Sequence, residues 1–220
     1  AFSELPGFDP VSLTAVGTGI ERAAQIFDTL LYRDESTDEV QPKLAESIES
    51  EDGTVWRLTL RDGVQFTDGT PLDAEAVVFN IERHRAADST SSAKAMLGDV
   101  TSVEATGPLE VTFTLREPNG SFPLVLTASS PASMIASPTA LADAEAFAKD
   151  PVGAGPFMLE SWTPDNELRL VRNPDYWDAE LPYLDEVVFR ILPDNQSRTD
   201  AILSAGVVLA QINSDSWTAI

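Results

Sequence analysis

RLTLRDGVQFTDGTPLDAEAVVFNIER, residues 57–83, reads as a strand, two tight turns and a capped helix, and each boundary has a chemical cause. Trp56, Leu58 and Leu60 alternate with Arg57, Thr59 and Arg61, the period of a half-buried strand. Asp62-Gly63 supplies residues tolerant of positive φ and ends it. Val64 and Phe66 resume the alternation, and Asp68-Gly69 turns the chain again. Asp73 is placed to accept from the free amides of a first helical turn, and Ala74, Val77, Val78 and Ile81 repeat at the spacing of one buried face. A helix over about 73–84 follows.

Composition narrows the function classes. The chain has 220 residues, 43% hydrophobic and 8% aromatic, enough for one large or two small cores. With 14 Lys and Arg against 36 Asp and Glu the net charge is -22, which repels phosphate backbones and anionic headgroups and argues against a nucleic-acid partner. The acidity would attract a cationic ligand, although solubility is its simpler use. There is no Cys and one His, His84, so thiolate chemistry, a multi-His metal site and a Ser-His-Asp arrangement all lack parts. Neither a cofactor nor a metal is expected. No apolar run reaches the roughly 18 residues a membrane span needs, and no signal peptide opens the chain, so an exported protein would be a processed form.

Outward from the opening stretch, residues 20–32 carry apolar side chains at 20, 23, 24, 27, 30 and 31 and predict an amphipathic helix. Strands are predicted over 100–105 and 109–116, a helix over 138–148 that stops at Asp150-Pro151, and a hairpin of 158–162 with 167–171. A buried strand over 184–192 and a helix from Asp194 or Asn195 to about Ala205 complete the set. Thr127 to Met134 is rich in small hydroxyl residues, but no G-x-S-x-G elbow surrounds it, so a nucleophile is not expected. The glycines of PVGAGPF, residues 151–157, lack the Lys-Ser/Thr of a phosphate loop, and Pro156 removes an amide. They read as a close crossing of backbones. Tyr176 and Trp177 of RNPDYW read as core anchors before ligand-stacking rings.

Several of these words together resemble one family. LRDGVQFTDGTPLDAEAVVFNIER, IFDTLLY, VQPKLAES, VTFTLREPNGSFPLVL, PVGAGPF and RNPDYW are similar, in order, to segments of the extracellular solute-binding proteins of family 5. These are the dipeptide, oligopeptide and nickel-type receptors of ABC importers. Ala154 stands where the family has Thr, and Gly206-Val207-Val208-Leu209 replaces its Gly-Glu-Val-Asp.

The resemblance implies an α/β fold, the first lobe of a two-lobed periplasmic-binding-protein-like (type II) architecture, with mixed sheets and flanking helices. Residues 1–38 and 152–220 would form the larger subdomain of that lobe and 39–151 a subdomain inserted into it. The second lobe and the C-terminal return segment would be absent, the chain being a truncated first lobe. The implied function is capture of a small ligand, a peptide foremost, with a sugar oligomer or metallophore left open, and delivery to ABC permease subunits in the membrane. It further implies an extracytoplasmic, periplasmic or cell-surface lipoprotein and no catalysis. Thr14, Ala15, Val16 and Gly17 fall where peptide-binding relatives bring backbone against ligand, and glycines 17 and 19 permit close approach; an ordinary helix-entry loop is the equal alternative. Ser129, Ser130 and Pro131 are implied to lie by the ligand cleft. A sensor or interaction module reusing the lobe stays open, and a hydrolase is the less favoured reading.

Overall fold

A computed structural model describes residues 7–13 and 18–210. The expected α/β character holds: among the described residues, helices α1 (Thr18–Phe27), α2 (Ala74–Arg85), α3 (Pro138–Leu141), α4 (Ala144–Phe147) and α5 (Asn195–Leu203) accompany nine strands. β1 (Leu31–Arg33) pairs with β2 (Val40–Pro42). β3 (Ala45–Glu49), β4 (Val55–Leu60), β5 (Val100–Ala105) and β6 (Glu110–Leu115) form a sheet in the order β3-β4-β6-β5, and β7 (Phe157–Thr163), β8 (Glu167–Arg172) and β9 (Glu186–Arg190) form a third. Every pairing among the described strands is antiparallel.

The alternation read from Trp56 to Leu60 decides which face of β4 is covered. Leu58 faces Val111 and Trp56 faces Phe113 on β6, and Leu58, Val111 and Phe113 are fully buried. Asp73 caps α2 by accepting from the Ala76 amide at 2.9 Å, and Val77 and Ile81 enter the same core as the sheet. Fully burying each such side chain contributes about 1.5–3 kcal/mol. A second cluster gathers Phe8, Ile26, Phe27, Met134, Phe147, Phe157 and Leu170, and Val152 packs against both clusters.

Three sequence expectations need correction. The helix read over 20–32 ends at Phe27, because Asp28 adopts φ 60 and sends the chain through Leu30 into β1 at Leu31. There the Leu30 amide donates to Ser133 O and its carbonyl accepts from the Ala45 amide, so the two leucines keep their burial but change element. The helix read over 138–148 breaks into α3 and α4, since Asp143 caps a new turn by accepting from the Ala146 amide. The strand read as buried over 184–192 is β9, whose Glu186, Val188 and Arg190 are exposed while Val187 and Phe189 pack on the second cluster.

The glycines of PVGAGPF do mark a crossing. A Cβ on Gly153 would sit 2.2 Å from Ile26 O, and one on Gly155 would sit 2.4 Å from Gln25 O. The Gly155 amide donates to Ile26 O at 2.8 Å. Tyr176 and Trp177 are anchors: the Tyr176 hydroxyl (2.7 Å) and Trp177 Nε1 (3.1 Å) both donate to Asp28 Oδ2. Asp28 Oδ1 accepts from the Thr29 amide at 2.8 Å and pairs with Lys43 Nζ at 2.6 Å. Burial, then the Asp28 charge, push the Tyr176 hydroxyl far above its usual range, so it stays a donor. One fully buried carboxylate thus ties the end of α1, the entry to β3 and the RNPDYW turn together.

Candidate functional site

Three short 3-10 turns from distant parts of the chain, Pro10–Ser12, Ser92–Lys94 and Pro131–Ser133, pack on one another. Each is made the same way. A polar residue precedes the turn and its side chain accepts from the amide two residues on: Asp9 from Val11 at 3.0 Å, Ser91 from Ala93 at 3.1 Å, Ser130 from Ala132 at 3.2 Å. Proline opens the first and third, with φ already set for a turn. The Ser92 hydroxyl donates to Leu13 O at 3.1 Å and joins two of the turns directly.

The exposed residues of this cluster include Ser12 and Ser92, and Ala128 and Ser129 are exposed on the segment that leads into the third turn. The Ser12 hydroxyl donates to Asp9 O at 2.7 Å, and the Ser129 hydroxyl donates to Leu124 O at 2.7 Å. A hydroxyl has one proton and two lone pairs, so both oxygens are left with acceptor capacity for an N–H donor.

Of the residues singled out in the sequence, Ser129 lies exposed just before the third turn, while Ser130 and Pro131 are buried. The Ser130 hydroxyl is used on Ala132, and its carbonyl accepts from the Ser133 hydroxyl at 2.8 Å, so both residues build the turn from beneath. Thr14, Ala15, Val16 and Gly17 lie outside the described residues; Leu13, which precedes them, is part of the cluster. Sequence reasoning missed Ser12 and Ser92. It also passed over a signal that was present: Asn80 and His84, four residues apart, sit on the buried side of α2.

His84 is buried, and its Nδ1 lies 2.6 Å from the Ser91 hydroxyl. Ser91 Oγ already accepts from the Ala93 amide, so its proton is free to point at an unprotonated Nδ1. Burial, then the neighbouring Arg83 charge, lower the imidazole pKa to about 4, while Asp9 opposes this. Because the folded value lies below the unfolded 6.5, the unfolded chain holds more protons between pH 6.5 and 4. His84 therefore costs no stability above pH 6.5, and its penalty grows as pH falls, to about 2–3 kcal/mol near pH 4.5. Urea titrations at pH 7 and 4.5 should show a loss over this interval that is smaller by that amount in His84→Asn; equal losses in the two proteins would refute the assignment.

Two shallow grooves lie elsewhere, one of about 410 Å³ lined by Lys149, Glu160 and Trp162 and one of about 440 Å³ lined by Asp62, Asp73 and Glu75. Neither includes a residue of the three turns. Among the described residues no group of three or more His, Asp or Glu side chains is placed to hold a metal ion. No helix there is long and apolar enough to cross a membrane.

Comparison with known proteins places this geometry in a lineage. The glutathione-binding protein GsiB of Salmonella paratyphi A is 35% identical over 161 residues, covering 71% of this chain and 30% of its own length, so the chain spans under a third of that relative. The structure of a nickel ABC transporter protein from Bacillus halodurans is 33% identical with a TM-score of 0.78, covering 99% of this chain and 43% of its own. The oligopeptide-binding protein AppA of Bacillus subtilis, solved with a nonapeptide, has a TM-score of 0.86 at 24% identity over 100% of this chain and 44% of its own, and speaks to fold alone. The solved structures that share the fold are two-lobed periplasmic binding proteins, as the resemblance implied. The family model for bacterial extracellular solute-binding proteins, family 5, middle region, matches residues 39–220. The chain belongs to the bacterial extracellular solute-binding proteins of family 5.

Proposed function

We propose that this chain forms one jaw of an extracytoplasmic receptor that closes on a small solute, a peptide foremost, and hands it to the permease of an ABC importer. The observation that carries the ligand chemistry is the cluster of three turns and the segment leading into the third, where Ser12 and Ser129 donate to carbonyls and each keeps at least one lone pair for an N–H group, Ser129 also lying 3.0 Å from the Thr127 hydroxyl. A peptide offers such donors along its backbone and at its amino terminus, and the net charge of -22 favours that terminus at long range. The family's extracellular character supports a periplasmic or lipid-anchored location. Glutathione, which a relative is named for binding, is itself a peptide. A bare metal ion is less well served, because the chain's single histidine is committed to Ser91.

The ligand-facing edge would comprise Ser129 with Ser130 and Pro131 beneath it, and Thr14 to Gly17. The proposed division of the lobe into 1–38 with 152–220 and an inserted 39–151 is supported in outline by two buried clusters, the first drawing mostly on residues 44–135 and the second on 8–27 and 157–170, although Leu30, Leu31 and Ala154 join the first and Met134, Ala136 and Phe147 the second. Closure would be driven only by the ligand's differential affinity for the closed form. No bond is made or broken.

One jaw encloses half a ligand, so calorimetry of this chain with reduced glutathione and a panel of di- and tripeptides should find weak binding, roughly millimolar. Peptide cleavage detected by mass spectrometry would replace this reading with a hydrolase. A stable protein partner with no heat from any small solute would replace it with an interaction module.

A further inference from the structure

The three turns have a common foundation on α2. Asn80, Arg83 and His84 stand at i, i+3 and i+4, so they share one side of the helix at its C-terminal half. Polar side chains on the packed side of a helix cost stability where they stay unpaired, as Arg83 Nη1 and His84 Nε2 do among the described residues, so the bonds the three do make are informative. Two hold the cap of a turn and the third holds the chain just after one. Asn80 Nδ2 donates to Ala136 O at 2.8 Å and to Ala76 O at 2.9 Å, and its Oδ1 accepts from the Ala136 amide at 3.2 Å. It thereby pairs with both groups of Ala136, three residues beyond the turn Pro131–Ser133, as a neighbouring strand would. The Arg83 guanidinium donates to Asp9 Oδ2 at 2.6 Å, and Asp9 is the residue that caps Pro10–Ser12 through its other oxygen. His84 Nδ1 meets the hydroxyl of Ser91, the cap of Ser92–Lys94.

We infer that Asn80, Arg83 and His84 are positioning residues, each setting one of the three turns so that the cluster is held in a single arrangement before any ligand arrives. This rests on the reading of the cluster as ligand-facing. The physical advantage is preorganisation: three short turns far apart in the chain would otherwise lose conformational freedom on binding and weaken it. An apolar stripe at these positions would bury as much surface but would set no hydrogen-bond register, because hydrophobic contact is non-directional.

The expected signature is one-to-one. Hydrogen exchange read by mass spectrometry on Asn80→Ala should rise about tenfold or more at Ala132 to Ala136, on Arg83→Met at Val11 to Leu13, and on His84→Leu at Ser92 to Lys94, with β7 and β8 unchanged. Arg83→Lys, which keeps a cation facing Asp9, should recover most of the protection at Val11 to Leu13. Asn80→Ser and His84→Asn serve in place of any of the first variants that fails to fold. Exchange that rises everywhere together, or nowhere, overturns the inference, because general stability would then account for these residues. Calorimetry with reduced glutathione on the same variants separates the two levels: localised exchange with unchanged affinity keeps the positioning role and removes this face from the ligand reading.

Discussion

Gly153→Ala should lower stability by on the order of 3 kcal/mol or more, and Gly155→Ala by a similar amount. Neither glycine is needed for a left-handed turn. The cost is steric: the new methyl of the first would fall 2.2 Å from Ile26 O and 2.7 Å from Phe27 Cα, that of the second 2.4 Å from Gln25 O. These are backbone atoms at the end of α1, which cannot swing aside as the tip of a side chain would. The crossing is also stapled on both sides, since the Gly155 amide donates to Ile26 O and Gly153 O accepts from the Thr67 amide. Relief would require α1 to move away from PVGAGPF, opening the region where Val152 meets both clusters. Gly120 is the control, because a Cβ there meets nothing within 4 Å, and Gly120→Ala should be close to neutral. Urea unfolding followed by Trp fluorescence decides it. A midpoint for Gly153→Ala within error of that for Gly120→Ala would show that the crossing is looser than described.

Asp28→Ala should cost about 3–5 kcal/mol, the range for removing one partner of a buried ion pair. The carboxylate is fully buried and accepts from four donors, of which the Tyr176 hydroxyl and the Thr29 amide have no route to water as good as the one they lose. Two terms add: orphaned donors, and an alanine placed at φ 60 where asparagine and aspartate are better tolerated. Asp28→Asn isolates the charge, since it keeps the shape and the left-handed preference, and should cost less than the alanine. Lys43→Met removes a side chain that is itself about one-third exposed, yet it leaves the fully buried Asp28 charge without a cation, so it too should be clearly destabilising. The ranking to be measured is thus Asp28→Ala more damaging than Asp28→Asn. Equal midpoints for the two would mean that loss of the charge accounts for the whole effect, and that the acceptor shape and the backbone preference add nothing.

The strand, turns and helix of residues 57–83 were legible because each is written in local chemistry. Period-two alternation, Asp-Gly turns and the cap at Asp73 need no knowledge of the rest of the chain, and the structure places them within a residue or two. Where the reading erred, distant groups had intervened. Leu30 and Leu31 continue a helical period, yet Ser133 and Ala45 supply strand-like partners that a helix could not use. Asp143 sits inside an apparently continuous helical segment and wins by capping a second one. The local role of Ser130 was not legible either: its hydroxyl caps a buried turn by accepting from the Ala132 amide, which the composition of the loop does not announce.

By itself the chain's order of residues determined which segments would be helix or strand, that two glycines mark a close crossing, and that the protein is an acidic chain poor in catalytic groups. These follow from periodicity, from the absence of a Cβ and from charge, all of which are properties of neighbours in sequence. Only the tertiary structure decided that Pro10–Ser12, Ser92–Lys94 and Pro131–Ser133 meet, and that three residues of α2 hold them. Hydrogen bonds of 2.6–3.2 Å between residues 56 and 74 positions apart exist only once the chain has folded back on itself, and no local pattern encodes their partners.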